Sequence, residues 1–139
     1  MRTIIFISLL AIALGCTGPK KAVTTSNKLN GTWIPVKQEI GGKELPEAVY
    51  GKQKLIIADS NYTFTAESVD KGIVKYGGSD KMDIYGKEGI NTGKHFAAIY
   101  KLENEELTVC YNLAGDSYPD AFETKARPTF FMSVFKKQQ

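Results

Sequence analysis

The chain has 139 residues, 42% of them hydrophobic, with 18 Lys and Arg against 15 Asp and Glu for a formal net charge of +3. That length suits one ordinary domain, large enough to bury a core without disulfide staples. The weak basicity comes from lysines scattered singly rather than along a stripe, so no nucleic-acid partner is indicated.

In chain order, residues 1–16, "MRTIIFISLLAIALGC", read as a leader rather than as part of the fold. Arg2 is a short positive n-region, and residues 4–14 form an unbroken apolar run of about eleven residues. That run falls short of the roughly 20 residues of a transmembrane helix and fits a secretory h-region. The ending Ala13-Leu14-Gly15-Cys16 resembles a bacterial lipobox, although the commoner pattern has Leu in the place of Ala13. The resemblance implies a signal peptide at 1–15 and lipidation of Cys16, with acyl chains such as palmitate holding the protein to a membrane. The rival is an ordinary secretory signal cleaved nearby. Thr17, not Asp, follows the cysteine, which in a Gram-negative cell implies default sorting to the periplasmic face of the outer membrane. Loss of Arg2 with the leader lowers the net charge from +3 to +2. With Cys16 lipidated, Cys110 is left alone, so there is no disulfide framework.

Residues 16–28 comprise the lipidated cysteine and "TGPKKAVTTSNK", which has no hydrophobic periodicity and reads as a flexible tether. Fully extended, it spans roughly 40 Å, enough to hold a domain clear of a bilayer.

Residues 29–139 form the domain. After "LNG" comes the strand "TWIPVKQEI" (32–40), with Trp33, Pro35, Lys37 and Glu39 alternating with Ile34, Val36, Gln38 and Ile40. "GGKELP" turns the chain, and "EAVYGK" is a brief helical turn, too short to stand alone. The strands that follow are "QKLIIA" (53–58), "YTFTAE" (62–67), "KGIVKYGG" (71–78), "KMDIYG" (81–86), "KHFAAIYKL" (94–102) and "ELTVCYNL" (106–113). A long polar loop, "AGDSYPDAFETKARP" (114–128), precedes the last strand, "TFFMSVFKK" (129–137). There Phe130, Met132 and Val134 share one face, and Phe131 and Phe135 the other. One face lines an interior, and the other needs a cover such as the loop that carries Phe122.

Eight short strands joined mostly by turns, with no crossover helix between them, must pair antiparallel. The predicted fold is therefore all-β, an eight-stranded antiparallel up-and-down barrel. Closure removes both edges and leaves room for side chains or one small ligand.

"GTW" on the first strand matches the Gly-x-Trp signature of lipocalins. With "LNGTWIPVKQEIGGKELP", "YTFT", "IYKLENEELTVCYN", "YPDAF" and "FFMSVFKK", in that order, the domain resembles a family of small bacterial secreted lipocalin-like proteins first catalogued in planctomycetes. The resemblance implies a calycin-type barrel whose base is closed by Gly31 and Trp33. It implies no reaction and no known ligand. Family members often carry Arg-Pro where this chain has Tyr118-Pro119, and a glycine-rich approach to the last strand where it has "TKARPT". Lipocalins set a cation against the base tryptophan, a place open here to Arg127, Lys136 or Lys137.

Little in the chain points to catalysis. His95 is the single histidine, and no nucleophile elbow accompanies it. A zinc site needs three or four clustered ligands, and no Cys–His cluster exists, so neither metal nor cofactor is expected. Cys110 sits in a strand as a small hydrophobe without the cations that activate a thiol. Asp59, Asp70, Asp80, Glu103, Glu105, Asp116 and Asp120 lie at turns, where turn chemistry accounts for aspartate. The stronger lead is aromatic: Tyr62, Phe64, Tyr76, Tyr85, Phe96, Tyr100, Tyr111 and Phe130, with Met132, are the candidate ligand-binding residues of an apolar pocket. The rival is that they fill the barrel and leave no cavity.

Two functions follow. One is a membrane-anchored lipocalin-like lipoprotein that binds a small apolar or amphipathic molecule. The other is an envelope-protein interaction or inhibitor module, a filled barrel presenting "GGKELPEAVYGK" and the 114–128 loop through Tyr50, Tyr118 and Phe122. An enzyme is not expected.

Overall fold

A computed structural model describes Gly18 and residues 28–139. Residues 1–17 and 19–27, on which the expected leader, lipidated Cys16 and tether fall, lie outside the described residues. The domain is a single antiparallel sheet closed on itself. Its strands are β1 (Gly31–Ile40), β2 (Lys43–Glu44), β3 (Lys54–Ala58), β4 (Asn61–Thr65), β5 (Val69–Gly77), β6 (Lys81–Glu88), β7 (His95–Glu103), β8 (Glu106–Asn112) and β9 (Phe130–Lys137). One short helix, α1 (Glu47–Tyr50), stands between β2 and β3. Strands β3 to β9 pair in sequence order, and β1 pairs with both β3 and β9, closing an eight-stranded up-and-down barrel.

The turns explain the meander. Between β7 and β8 only Asn104 and Glu105 intervene, both with positive φ, 51° and 61°, the conformation that lets a two-residue hairpin follow strand twist. "GGKELP" does more than turn: Lys43 and Glu44 pair back onto Ile40 and Glu39 as β2. β3 pairs only with Gly31, Thr32 and Trp33 of β1. The upper part of that β1 edge is taken by β2, and α1 packs beside it, with buried Tyr50 donating its hydroxyl to the Val36 carbonyl at 3.2 Å.

A bulge corrects the simple alternation of β1. Pro35 pairs with Phe135 and Lys37 with Val134, so Val36 is an extra residue. Because side chains alternate with period two, one inserted residue exchanges the faces beyond it. Gln38 therefore joins Trp33 inside the barrel instead of standing opposite it. There it is buried, with Nε2 donating to Gln53 Oε1 at 2.6 Å and Ser133 Oγ at 3.4 Å.

The main core is the barrel interior: Trp33, Leu55, Ile57, Tyr62, Val74, Met82, Ile84, Ala98, Tyr100, Leu107, Val109 and Phe135. A second cluster lies on the outer face of β7, β8 and β9, where Ile99, Cys110 and Phe130 are buried with Phe122 and Met132 against them. The cover is the long loop after β8, as the two-sided pattern of the last strand required. Its root is tied to buried Asn112, whose Nδ2 donates to Asp116 Oδ1 at 2.7 Å and whose Oδ1 accepts from Ala114 N at 3.0 Å. Its far end is fixed by buried Thr124, which is hydrogen-bonded to Glu39 and accepts from Gly42 N at 2.9 Å.

Candidate functional site

The base of the barrel is built around Trp33. The indole is fully buried, and Nε1 donates to the Leu29 carbonyl at 2.8 Å. The cation against it is Lys137, with Nζ 5.5 Å from the ring centroid. Arg127 instead stands over Phe130, 5.0 Å from that ring. Gly31 has φ of 140°, and a Cβ there would come within 2.6 Å of Lys137 Cε. Glycine is required by that backbone conformation, and its missing side chain lets the lysine stem cross toward the indole. Tyr76 and Tyr100 fill the same end edge to face, with ring centroids 6.1 Å apart. The Tyr76 hydroxyl is buried without a hydrogen-bond partner among the described residues. Burial, then Tyr100 and Asp59, push its pKa up to about 12.

Above this floor the interior is open. A cavity of about 580 Å³ is lined by Leu55 and Ile57 of β3, Tyr62 and Phe64 of β4, Val74 of β5, Met82 and Ile84 of β6, Phe96 of β7, Leu107, Val109 and Tyr111 of β8, and Phe131 of β9. That volume lies within the range of roughly 300–1,000 Å³ seen for small-molecule pockets. The Tyr111 and Phe131 rings stack, with centroids 5.6 Å apart. Burial raises the pKa of Tyr111, and burial followed by the charge of Asp70 raises that of Tyr62, so both phenols are neutral donors at neutral pH.

The mouth lies opposite Trp33 and carries the polar groups. Asp70 of β5, with Asn91 and Lys94 of the β6–β7 loop, completes the lining together with Leu113. That loop folds back over the barrel end. Gly86 N donates to the Lys94 carbonyl and Gly93 N to the Gly86 carbonyl, each at 3.0 Å. A side chain at Gly86 would collide with the Asn91 backbone, so glycine admits the loop. Asn91 then reaches Asp70 twice: its N donates to Oδ1 at 3.1 Å and its Nδ2 to Oδ2 at 2.9 Å. Lys94 Nζ donates to Asn91 Oδ1 at 3.2 Å.

The sequence candidates are therefore divided. Tyr62, Phe64, Phe96 and Tyr111 meet in the cavity wall. Tyr76 and Tyr100 are in the interior but belong to the packed floor. Tyr85, Phe130 and Met132 stand outside the barrel, because β6 and β9 turn the alternate faces inward. Tyr85 stacks on His95 at 4.7 Å, and Phe130 and Met132 lie under the long loop. Sequence reading missed Phe131, Asn91 and Lys94, and it placed Asp70 in a turn. The register Phe131↔Tyr111 aligns Phe131 with the inward face of β8. Asp70, Gly72, Val74 and Tyr76 alternate with Lys71 and Lys75, a pattern that already marks the carboxylate as inward-facing.

Outside the barrel, His95 Nε2 donates to Asp83 Oδ1 at 2.6 Å, and the Tyr118 hydroxyl donates to Asp83 Oδ2 at 2.5 Å. Burial alone would raise the Asp83 pKa, but the hydrogen bonds from Tyr118 and His95 outweigh it and hold the carboxyl below its usual value. The cluster pins the long loop to β6 and β7. Of the loop aromatics, Phe122 packs against the outer core, Tyr118 is tied to Asp83, and Tyr50 is buried. Cys110 is a buried free thiol whose pKa burial pushes up. No group of three or more His, Cys, Asp or Glu able to hold a metal ion occurs among the described residues. No known protein family, curated protein or solved structure matches the chain.

Proposed function

We propose that the protein is a lipid-anchored, lipocalin-like binding protein of the cell envelope that takes a small apolar or amphipathic molecule into its barrel. The carrying observation is the cavity of about 580 Å³, walled by aliphatic and aromatic side chains and bordered at one end by Asp70, Asn91 and Lys94. An apolar body with a few polar groups at its mouth suits a ligand with a hydrophobic part and one polar end. The Gly31–Trp33 floor supports the likeness to the small secreted lipocalin-like family, and Cys16 is the proposed lipidation site. The function proposed is binding without catalysis, in keeping with His95 being engaged by Asp83 and Tyr85 outside the barrel. The loop-presenting alternative is less well supported, since Tyr50 and Phe122 are held against the barrel and only Tyr118 of the three is exposed, its hydroxyl bonded to Asp83.

The test uses a neutral apolar fluorophore, N-phenyl-naphthylamine, with the wild type and with Val109→Phe, which fills the cavity. Saturable enhancement that is lost in a folded Val109→Phe protein is the expected result. Equal binding by both proteins, or none by either, would refute cavity binding. For the anchor, labelled palmitate is expected to enter the wild type and not a Cys16→Ala variant.

A further inference from the structure

The cavity's polar end carries one buried carboxylate and one exposed ammonium. Among the described residues Asp70 is the only carboxylate in its lining and is only 6% exposed, while Lys94 is exposed to solvent. Both hydrogen bonds to Asp70 come from Asn91, one from its backbone and one from its side-chain amide, and both donors are neutral. Among the described residues no Lys, Arg or His makes an ion pair with Asp70. A carboxylate can accept about four hydrogen bonds, so Asp70 keeps acceptor capacity. A buried charge acts through a low dielectric, whereas solvent and salt screen the ammonium of Lys94. Of the two charges at this end, that of Asp70 is the less screened.

The walls are rich in aromatic side chains. Tyr62, Phe64, Phe96, Tyr111 and Phe131 surround the cavity, and aromatic faces attract cations most strongly where water is excluded. Burial, and after it the charge of Asp70, raises the pKa of Tyr62 in the same wall. The two hydrogen bonds from Asn91 tie the β6–β7 loop to Asp70 but bring no positive charge to the carboxylate. A positive group on a bound molecule would supply the missing counter-charge.

We propose that the cavity selects amphiphiles bearing an organic cation, a protonated amine or quaternary ammonium, with Asp70 as the counter-ion. The selection rests on the cavity-binding function above and adds its head-group class. Calorimetry with three ten-carbon probes of matched tail, each below its micelle or solubility limit, separates the two ideas: decanol, decylammonium and decanoate. Decylammonium is expected to bind the wild type at least about ten-fold tighter than decanol, with decanoate the weakest. Asp70→Asn is expected to remove the ammonium preference, so that decylammonium binds no tighter than decanol, and Lys94→Ala to leave the preference in place. Equal affinity for decanol and decylammonium, tighter binding of decanoate, or a preference that survives Asp70→Asn would overturn cation selection while leaving cavity binding intact. Failure of all three probes would overturn both. The wild-type comparison decides the matter even if Asp70→Asn does not fold.

Discussion

At the scale of single residues, Trp33 holds the floor and is absent from the cavity wall. Its indole is fully buried, hydrogen-bonded to Leu29 and crossed by Lys137. Trp33→Ala is therefore expected to cost about 3–5 kcal/mol, a large part of the ~5–15 kcal/mol that stabilises a typical domain. Urea unfolding monitored by circular dichroism measures it. A variant that unfolds like the wild type yet loses a ligand would place Trp33 in the binding wall instead. Gly31 and Trp33 are legible in the sequence because their spacing is local. The cation is not, because choosing Lys137 over Arg127 depends on how β9 registers against β1. Asp70 shows a different limit: aspartate beside a turn is common, and its inward direction becomes plain only when the alternation with Lys71 and Lys75 outweighs turn chemistry.

At the scale of elements, all eight barrel strands can be read from turn residues and period-two alternation. β2 and the Val36 bulge cannot. β2 exists because β3 leaves the upper β1 edge unpaired, and the bulge follows from the pairing of β1 with β9; both are tertiary facts. The choice between the faces of β9 is of the same kind, since Phe130 and Phe131 are equally apolar and only pairing with β8 separates them. The long loop behaves as part of the outer core. Phe122 lies against the cluster containing Cys110, whose thiol is buried and whose pKa burial raises. Native protein is expected to react very slowly with a disulfide reagent such as dithionitrobenzoate. Phe122→Ala should speed that reaction ten-fold or more, since about 1.4 kcal/mol taken from the free energy of loop opening raises the open population ten-fold. Fast reaction in the wild type, or no change in the variant, would mean that the loop does not shield Cys110.

At the scale of the whole molecule, closure of β1 on β9 produces an interior with a packed floor at the Trp33 end and open space toward the β6–β7 loop. The phenols buried there couple stability to alkaline pH. Tyr62, Tyr76 and Tyr111 all have folded pKa values above the ordinary 10.0, that of Tyr76 reaching about 12. The folded state thus holds these protons more tightly than the unfolded chain. Their contribution is intact below pH 10.0 and is lost as pH rises through the folded values. Phenolate absorbance from these tyrosines is expected to appear only with loss of native circular dichroism. Titration of all seven tyrosines near pH 10 in a chain that stays folded would contradict their burial.

The proposed binding requires an apolar molecule to enter the barrel through the end opposite Trp33. Amide NMR of isotope-labelled protein titrated with decanol reads out that entry residue by residue. Saturable shifts at Phe96, Val109, Tyr111 and Phe131, with Trp33 and the outer-face residues Ile99 and Phe130 little changed, are the result expected. No shifts, or shifts confined to the loop over the outer face, would contradict it.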